Sequence, residues 1–226
     1  MKLNPLASLG IITLLTLSTS GCIIHIGGHD DEYSHHKGDV SHVLGDIDID
    51  ADSQMQDLSV VNGDINLENN VSAEDIDTVN GSISLGKRVS IFSASSVNGD
   101  IEAGSELTVK NDISTVNGDI ELGEYSEVGG DISTVNGDIQ LISVTVQGEL
   151  ETKNGDISLV NGTTIKGDLI YRAKEQKRWS NDEVPTLKID ASSSVNGKII
   201  LHRKVILEID DQTLLNKVER LYSSDK

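Results

Sequence analysis

One short segment, clearest as "STVNGDI", recurs along most of the chain at a nearly constant spacing. Its glycine returns after 18, 18, 18, 19, 19, 18 and then 42 residues, and an isoleucine stands two residues after each of these glycines. A fixed period of this length is the signature of a repeat architecture, which limits the possible folds more than composition does. The glycines are Gly45, Gly63, Gly81, Gly99, Gly118, Gly137, Gly155 and Gly197.

The repeated Asn-Gly pair allows two interpretations, because Asn-Gly between apolar residues is also a strong hairpin signal. In a hairpin around Asn117-Gly118, Ile113 and Ile120 would share one face and Val116 would lie on the opposite, polar face. If Asn-Gly is instead a corner between two short strands, Val116 can point inward, and the glycine can adopt a positive φ without steric cost. We favour the corner and expect an inward valine in six units: Val61, Val79, Val97, Val116, Val135 and Val195.

The corner interpretation predicts the fold. With a rise of ~3.3 Å per residue, 18 residues make a circuit about 60 Å around, which suits a narrow three-sided coil. Coils stacked at about 4.8 Å by parallel strand pairing form a β-solenoid. We therefore predict an all-β chain, a single-stranded parallel β-helix of 18–19-residue coils over residues 44–209, with a meander-type barrel or propeller as the competing fold.

The C-terminal segment "DQTLLNKVERLY" predicts a helix that caps the last coil, so that residues 210–226 form a capping helix and a tail. Asp210 or Asp211 can serve as its N-cap. Four apolar residues then share one helical face: Leu214, Leu215, Val218 and Leu221.

The first 21 residues predict a signal peptide, with Lys2 before a short apolar core and small residues at its end. The ending "LSTSGC" resembles the processing box of bacterial lipoproteins, which implies that Cys22 becomes the first residue and carries acyl chains, palmitate among them. In a Gram-negative cell, Ile23 after the cysteine implies an outer-membrane location. The alternative is an ordinary cleaved signal with an incidental cysteine. In the lipoprotein interpretation, residues 22–43 are the lipidated cysteine and a His-rich tether.

Repeated "TVNGDIEL" segments behind such a signal resemble a bacterial adhesin family, a domain of unknown function with repeated Val-Asn-Gly-Asp-Ile coils, and more distantly the bactofilins. The resemblance covers about residues 44 to 209 and implies a right-handed parallel β-helix. It implies no catalytic residues, and the word adhesin rests on fold analogy.

The charge of the chain limits its partners. The formal net charge is −19, and it becomes −20 when the signal with Lys2 is removed. Such a chain is a poor partner for nucleic acid and is repelled by anionic lipid head groups. We therefore expect no nucleic acid, and a membrane association that depends on the lipid anchor.

The composition also argues against an enzyme. One Trp, four Tyr and one Phe offer few platforms for sugar rings, and acidic pairs occur in every repeat, so no catalytic pair stands out. No nucleophile elbow or phosphate-binding loop is present in the sequence. We expect a non-enzymatic protein without a cofactor, and a polysaccharide-active enzyme ranks third among the functions considered.

Acidic residues follow most corner glycines. They can hydrogen-bond to their own turns, or they can bind Ca²⁺ or Mg²⁺ weakly along the stack. These residues are Asp46, Asp64, Asp100, Asp119, Asp138 and Asp156.

A second candidate site is a histidine-rich run near the N-terminus. Imidazoles interleaved with carboxylates can chelate Zn²⁺, Cu²⁺ or Ni²⁺, although the run can equally be a polar tether. It supports an alternative function as a metal-binding or envelope-stress-sensing lipoprotein. The candidate ligands are His25, His29, His35, His36 and His42.

The segment "RAKEQKRWSNDEVP", residues 172–185, interrupts the repeat and predicts a loop insertion. It clusters cations with a tryptophan in an acidic chain, so it is either a solvated loop or a contact for an anionic envelope glycan or protein. The candidate contacts are Arg172, Lys174, Lys177, Arg178 and Trp179. Together, these features predict a non-enzymatic, lipid-anchored cell-envelope protein whose rigid β-helix presents a surface for adhesion or scaffolding.

Overall fold

The computed structural model describes residues 38–173 and 184–222. In these residues the chain winds into a β-solenoid of about 9 turns, built from three sheets. Every pairing between its strands is parallel, as in Ser95 with Ser114 and Ser114 with Ser133. The predicted parallel β-helix is confirmed, and Asn-Gly is a corner because a hairpin would pair its strands antiparallel.

The three sheets run along the solenoid, and each turn contributes at most one strand to each sheet. Sheet A contains Val40–Leu44, Leu58–Asn62, Asp75–Asn80, Ser93–Asn98, Ile113–Asn117, Ile132–Asn136, Leu150–Asn154, Leu169–Tyr171, Ile199–Leu201 and Val218–Arg220. Sheet B contains Ile47–Ile49, Ile65–Leu67, Ile83–Leu85, Ile101–Ala103, Ile120–Leu122, Ile139–Ile142, Ile157–Val160, Thr186–Ile189 and Ile206–Ile209. Sheet C contains Ser90–Ile91, Thr108–Val109, Glu127–Val128, Thr145–Val146, Thr164–Ile165 and Ser194–Val195.

The interior consists of stacked aliphatic side chains. The isoleucine two residues after each corner glycine is buried, and in sheet B these isoleucines pair in register from coil to coil. Burying one such side chain contributes about 1.5–3 kcal/mol, so the column is a main source of stability. Its members in sheet B are Ile47, Ile65, Ile83, Ile101, Ile120, Ile139 and Ile157.

The prediction that these valines point inward is wrong for five of the six. Strand Ile113–Asn117 keeps its alternation up to the corner, so Thr115 is buried at 3% exposure and Val116 points outward, partly exposed. A hydroxyl is tolerated inside because it is hydrogen-bonded: Thr115 Oγ1 donates to the carbonyl oxygen of Gly99 at 3.1 Å. Thr78, Ser96 and Thr134 make the equivalent bond. Val61, Val79, Val97 and Val135 also point outward, whereas Val195 is buried because it lies in sheet C.

The corner glycines are required mainly because the backbones of successive coils approach each other closely there. A Cβ atom on Gly118 would lie 2.1 Å from the carbonyl oxygen of Gly99 in the preceding coil. The expected positive φ occurs in this column at Gly45 and Gly63 but not at its later glycines. Gly197 does not belong to the column, because it stacks on Gly167 at the corner between sheets C and A.

The corner between sheets B and C depends on a left-handed residue instead of on a glycine. In seven successive coils, one residue at this corner adopts a left-handed backbone with φ between 55° and 64°. This conformation costs non-glycine residues energy, yet Asn and Asp tolerate it best. The residues are Asp52, Asn70, Arg88, Glu106, Tyr125, Ser143 and Asn161.

The C-terminal cap differs from the expected α-helix. Asp211 is the N-cap, as one of the two predicted residues, and its carboxylate accepts from the Thr213 N–H at 2.9 Å, which lowers the pKa of Asp211. The helix is a short 3₁₀ helix, Gln212–Lys217. Strand Val218–Arg220 then pairs with Ile199–Leu201, because this covers an open sheet edge that a longer helix would leave unpaired.

Replacing Gly118 by Ala tests the requirement for close approach. The new methyl group would collide with backbone that cannot move without separating two coils, so we expect the free energy of unfolding to fall by about 3 kcal/mol. The matched control is Gly104→Ala, where the nearest atom would be the Gly86 carbonyl oxygen at 3.1 Å. Equal urea midpoints for the two variants would contradict the account.

Thr152 offers a second test, because it ends the inner hydroxyl column. Its Oγ1 is buried and has no hydrogen-bond partner among the described residues. Thr152→Val should raise the free energy of unfolding by about 1 kcal/mol, since it removes an unsatisfied polar atom. Thr115→Val should lower it by a similar amount, about 1 kcal/mol, because it removes a formed bond. Denaturant melts of both variants measure the difference, and the same sign for both would be the contrary result.

Candidate interaction face

The outer surface of sheet A is formed by two files of side chains that stack in register between residues 58 and 136. We call this surface the sheet A face. The serine file contains Ser59, Asp77, Ser95, Ser114 and Ser133, and the valine file contains Val61, Val79, Val97, Val116 and Val135.

The sheet A face is uncharged along its centre. The strands Ser93–Asn98, Ile113–Asn117 and Ile132–Asn136 contain no charged residue, although the chain has a net charge of −19. On the same coils, sheet B carries Glu102 and Glu121 at its outward positions. The acidic charge is therefore placed on other surfaces, and this face combines hydroxyl groups with partly exposed valines.

Asp77 is the one acid in the two files. Partial desolvation, the largest cause, raises the pKa of its carboxyl, and the nearby Asp75 and Asp57 raise it further. The Ser95 hydroxyl donates a hydrogen bond to this carboxylate and opposes the shift. The pKa of Asp77 is therefore raised overall, and the hydrogen bond from Ser95 limits the shift.

An asparagine ladder borders the face at the Asn-Gly corners. Each Asn Nδ2 donates to the Oδ1 of the asparagine in the preceding coil, at 2.8–2.9 Å from Asn80 through Asn154. The ladder ends at Asn154, because the next hydrogen bond to Asn154 Oδ1 comes from Arg203 Nη1 at 2.7 Å. Arg203 lies two coils further along the chain, and its Nη1 also donates to the Lys153 carbonyl at 2.8 Å. The side chains that line this edge are therefore fixed.

The acidic column forms a second ladder. The Oδ1 atom of Asp119 accepts from the backbone N–H of Asp138 in the next coil at 2.7 Å, and Asp138 accepts likewise from Asp156. The column begins at Asp46, which accepts from the Asp64 N–H at 2.9 Å. The prediction that each aspartate bonds to its own turn is therefore wrong, because the donor is a backbone N–H of the next coil. A stacked coil brings the next N–H within reach, and a carboxylate that accepts this bond satisfies a corner donor.

The described residues hold no group of three or more His, Cys, Asp or Glu side chains that could bind a metal ion. A shallow, open groove of about 450 Å³ lies on sheet B beside Glu68, Glu102 and Glu121. The groove lies at Ala103, which is paired in register with Leu85 and Leu122 on the two neighbouring strands of sheet B. Its lining combines three glutamates with Asn66, Ser84, two leucines and small residues, and it contains no imidazole.

Arg172 is the described member of the predicted cationic contact site. Its guanidinium pairs with Glu151, which raises the pKa of Arg172. The other four residues, Lys174, Lys177, Arg178 and Trp179, lie outside the described residues. Strand Leu169–Tyr171 ends where the loop was expected to begin, and the next strand begins at Thr186.

Most of the site residues predicted near the N-terminus lie outside the described residues. Cys22, His25, His29, His35 and His36 are outside the described residues. His42 is described, and it lies in strand Val40–Leu44, partly buried and in register with Val60. It therefore belongs to the first coil, which begins earlier than the expected residue 44, and not to the tether.

Sequence reasoning missed the sheet A face because it placed the valines inside. The signal that could have revealed it is the pattern Ser-x-Val-Asn, which occurs at four of the five corners between residues 59 and 136 in a strongly acidic chain, with Asp77 in place of serine at the fifth. Alternate strand residues share a face, so a serine and a valine two positions apart must point the same way.

The described part of the chain contains no helix long and apolar enough to span a membrane. Comparisons with protein-family models, with curated proteins and with solved structures find no match to this chain. The proposed role therefore rests on the residues and on the geometry of the coil.

Proposed function

We propose that this chain is a non-enzymatic, lipid-anchored cell-envelope protein whose β-solenoid presents the sheet A face for adhesion or scaffolding. The observation that carries the proposal is the uncharged, in-register array of serine and valine side chains on a chain of net charge −19. Charge depletion with partly exposed apolar groups is typical of the centre of an interface.

The coil stack supports a binding role because it holds the face in one arrangement. Neighbouring strands are joined by backbone hydrogen bonds, and the asparagine ladder fixes the adjacent edge. A surface that is already ordered loses little conformational entropy when a partner binds. Side chains such as Ser114 and Val116 are therefore presented at strand spacing, about 4.8 Å between coils.

The cations of residues 172–178 are a second proposed contact, for an anionic partner. Arg172 and Glu151 form an ion pair beside the strands of sheet A that follow the uncharged ones. An anionic glycan or acidic protein patch could exchange with Glu151 for the guanidinium, since Arg binds phosphate and carboxylate in a bidentate manner.

The proposed anchor is tested by Cys22→Ser. Because acyl chains on Cys22 would supply the membrane affinity of an acidic chain, we expect this variant to move from the washed membrane fraction to the soluble fraction. Comparison of the two fractions by immunoblot measures the change. A variant that stays with washed membranes would remove the lipid anchor from the proposal.

The proposed binding face is tested in the soluble Cys22→Ser background, by rebinding of the purified protein to isolated envelopes. We expect Val97→Lys with Val135→Lys, two coils apart on the sheet A face, to reduce rebinding by about tenfold or more, because a charge at an interface centre must be desolvated. Both valines point outward, so the melt should change little.

The matched control carries lysines on the same two coils of sheet B, Glu102→Lys with Gln140→Lys. It changes the net charge by more than the face variant does, so a loss of rebinding in both would indicate bulk electrostatics. A loss in the control variant only would place the binding surface on sheet B and refute the proposal.

A further inference from the structure

The chain contains eight Asn-Gly pairs, and this dipeptide is chemically labile. The backbone nitrogen of the glycine can attack the side-chain carbonyl carbon of the asparagine. Two conditions favour the attack, a glycine N–H without a hydrogen bond and an asparagine side chain that is free to rotate. The pairs begin at Asn62, Asn80, Asn98, Asn117, Asn136, Asn154, Asn161 and Asn196.

Six of the eight pairs have a glycine nitrogen that is already engaged. In five of them the glycine N–H donates to the asparagine carbonyl of the next coil, as Gly118 does to Asn136 at 3.0 Å. The sixth is Gly197, whose N–H donates to the Gly167 carbonyl at 3.1 Å. Attack at these pairs requires two coils to separate, which is a sub-global opening of the fold.

The pair Asn154-Gly155 is held in another way. Its glycine N–H has no acceptor among the described residues, but the asparagine side chain is bound at both ends. Asn154 Nδ2 donates to Asn136 Oδ1 at 2.9 Å, and Arg203 Nη1 donates to Asn154 Oδ1 at 2.7 Å. The carbonyl carbon therefore cannot rotate toward the glycine nitrogen without breaking the end of the ladder.

Asn161-Gly162 has neither protection. It lies at the corner between sheets B and C, both residues are exposed, and a Cβ on Gly162 would meet nothing within 4 Å. Within the described residues the Gly162 N–H and the Asn161 side chain make no hydrogen bond. Only the backbone of Asn161 is held, because its N–H donates to Asp190 Oδ2 at 2.8 Å and its carbonyl accepts from the Ser143 hydroxyl.

We propose that Asn161 is a site of spontaneous deamidation, the one Asn-Gly pair of the described fold that reacts without unfolding. The Gly162 nitrogen gives its proton to a water-derived base and bonds to Cγ of Asn161. The bond from Cγ to Nδ2 then breaks, and the amide nitrogen takes a proton back from the base and leaves as ammonia. Water then opens the resulting succinimide at either carbonyl and yields aspartate or isoaspartate. No oxidant or reductant takes part.

The product would alter the corner through Asp190. Although partial desolvation raises the pKa of Asp190, the donors from Asn161, Ser192 and Ser193 lower it to about 2, so this carboxylate is charged at neutral pH. A new carboxylate at position 161 places a like charge beside it. The isoaspartate form also lengthens the backbone by one carbon in a corner whose φ is 57°.

A single tryptic peptide allows the test, because residues 154–166 contain both Asn154 and Asn161. Folded protein is incubated at mildly alkaline pH and digested, and fragment ions then locate the mass increase of the amide-to-acid change. We expect Asn161 to react at nearly its rate in concentrated urea, and Asn154 and the six backbone-engaged asparagines to react more than about 100-fold slower than in urea.

Asn161→Gly is the matched variant, since glycine accepts the left-handed backbone of this position. It should abolish the acidic species that ageing produces on ion exchange while the wild-type chain accumulates it. The proposal is overturned if Asn161 in the folded protein reacts no faster than Asn154, or if the variant ages as the wild-type chain does.

Discussion

The structure depends on how closely successive coils approach at the Asn-Gly-Asp corner. The Gly118 N–H donates to the backbone carbonyl of Asn136 in the next coil at 3.0 Å, and the Asp119 carboxylate accepts a hydrogen bond from the backbone N–H of Asp138. Both bonds need a residue without a side chain at the contact, since a Cβ on Gly118 would meet the Gly99 carbonyl at 2.1 Å. The corner thus sets the spacing at which the sheets, the ladders and the interior columns all stack.

This spacing also explains how an acidic chain can carry an uncharged face. Once the coils are in register, each sequence position becomes a file along the solenoid, so the same residue type is repeated at the same place. Serine, valine and asparagine fall on sheet A, and glutamates such as Glu102 and Glu121 fall on sheet B. The proposed interaction surface is a consequence of the repeat, and it needs no pocket.

Much of the fold could be predicted from the period and from the isoleucines, since both follow from local strand geometry. The interior hydroxyl column could not, because the partner of Thr115 is a carbonyl 16 residues away and exists only after the coils stack. The same limit applies to the aspartate ladder and to Arg203, which reaches Asn154 from 49 residues away. Gly197 was assigned to the wrong corner because the 42-residue interval hides a change of register. The predicted capping helix is longer than the observed one, because apolar periodicity carries no information about the open strand edge that Val218–Arg220 covers.

The most direct test of the stacked corner is disulfide formation between Ser95→Cys and Ser114→Cys in a Cys22→Ser background. The two residues are paired on neighbouring parallel strands, and strands about 4.8 Å apart lie within the Cα range of a disulfide. A hairpin around Asn117-Gly118 would instead pair Ser114 with Glu121. The account predicts rapid oxidation of the first pair and no intramolecular disulfide for Ser114→Cys with Glu121→Cys. The reverse pattern, measured by mass spectrometry of the non-reduced protein, would contradict it.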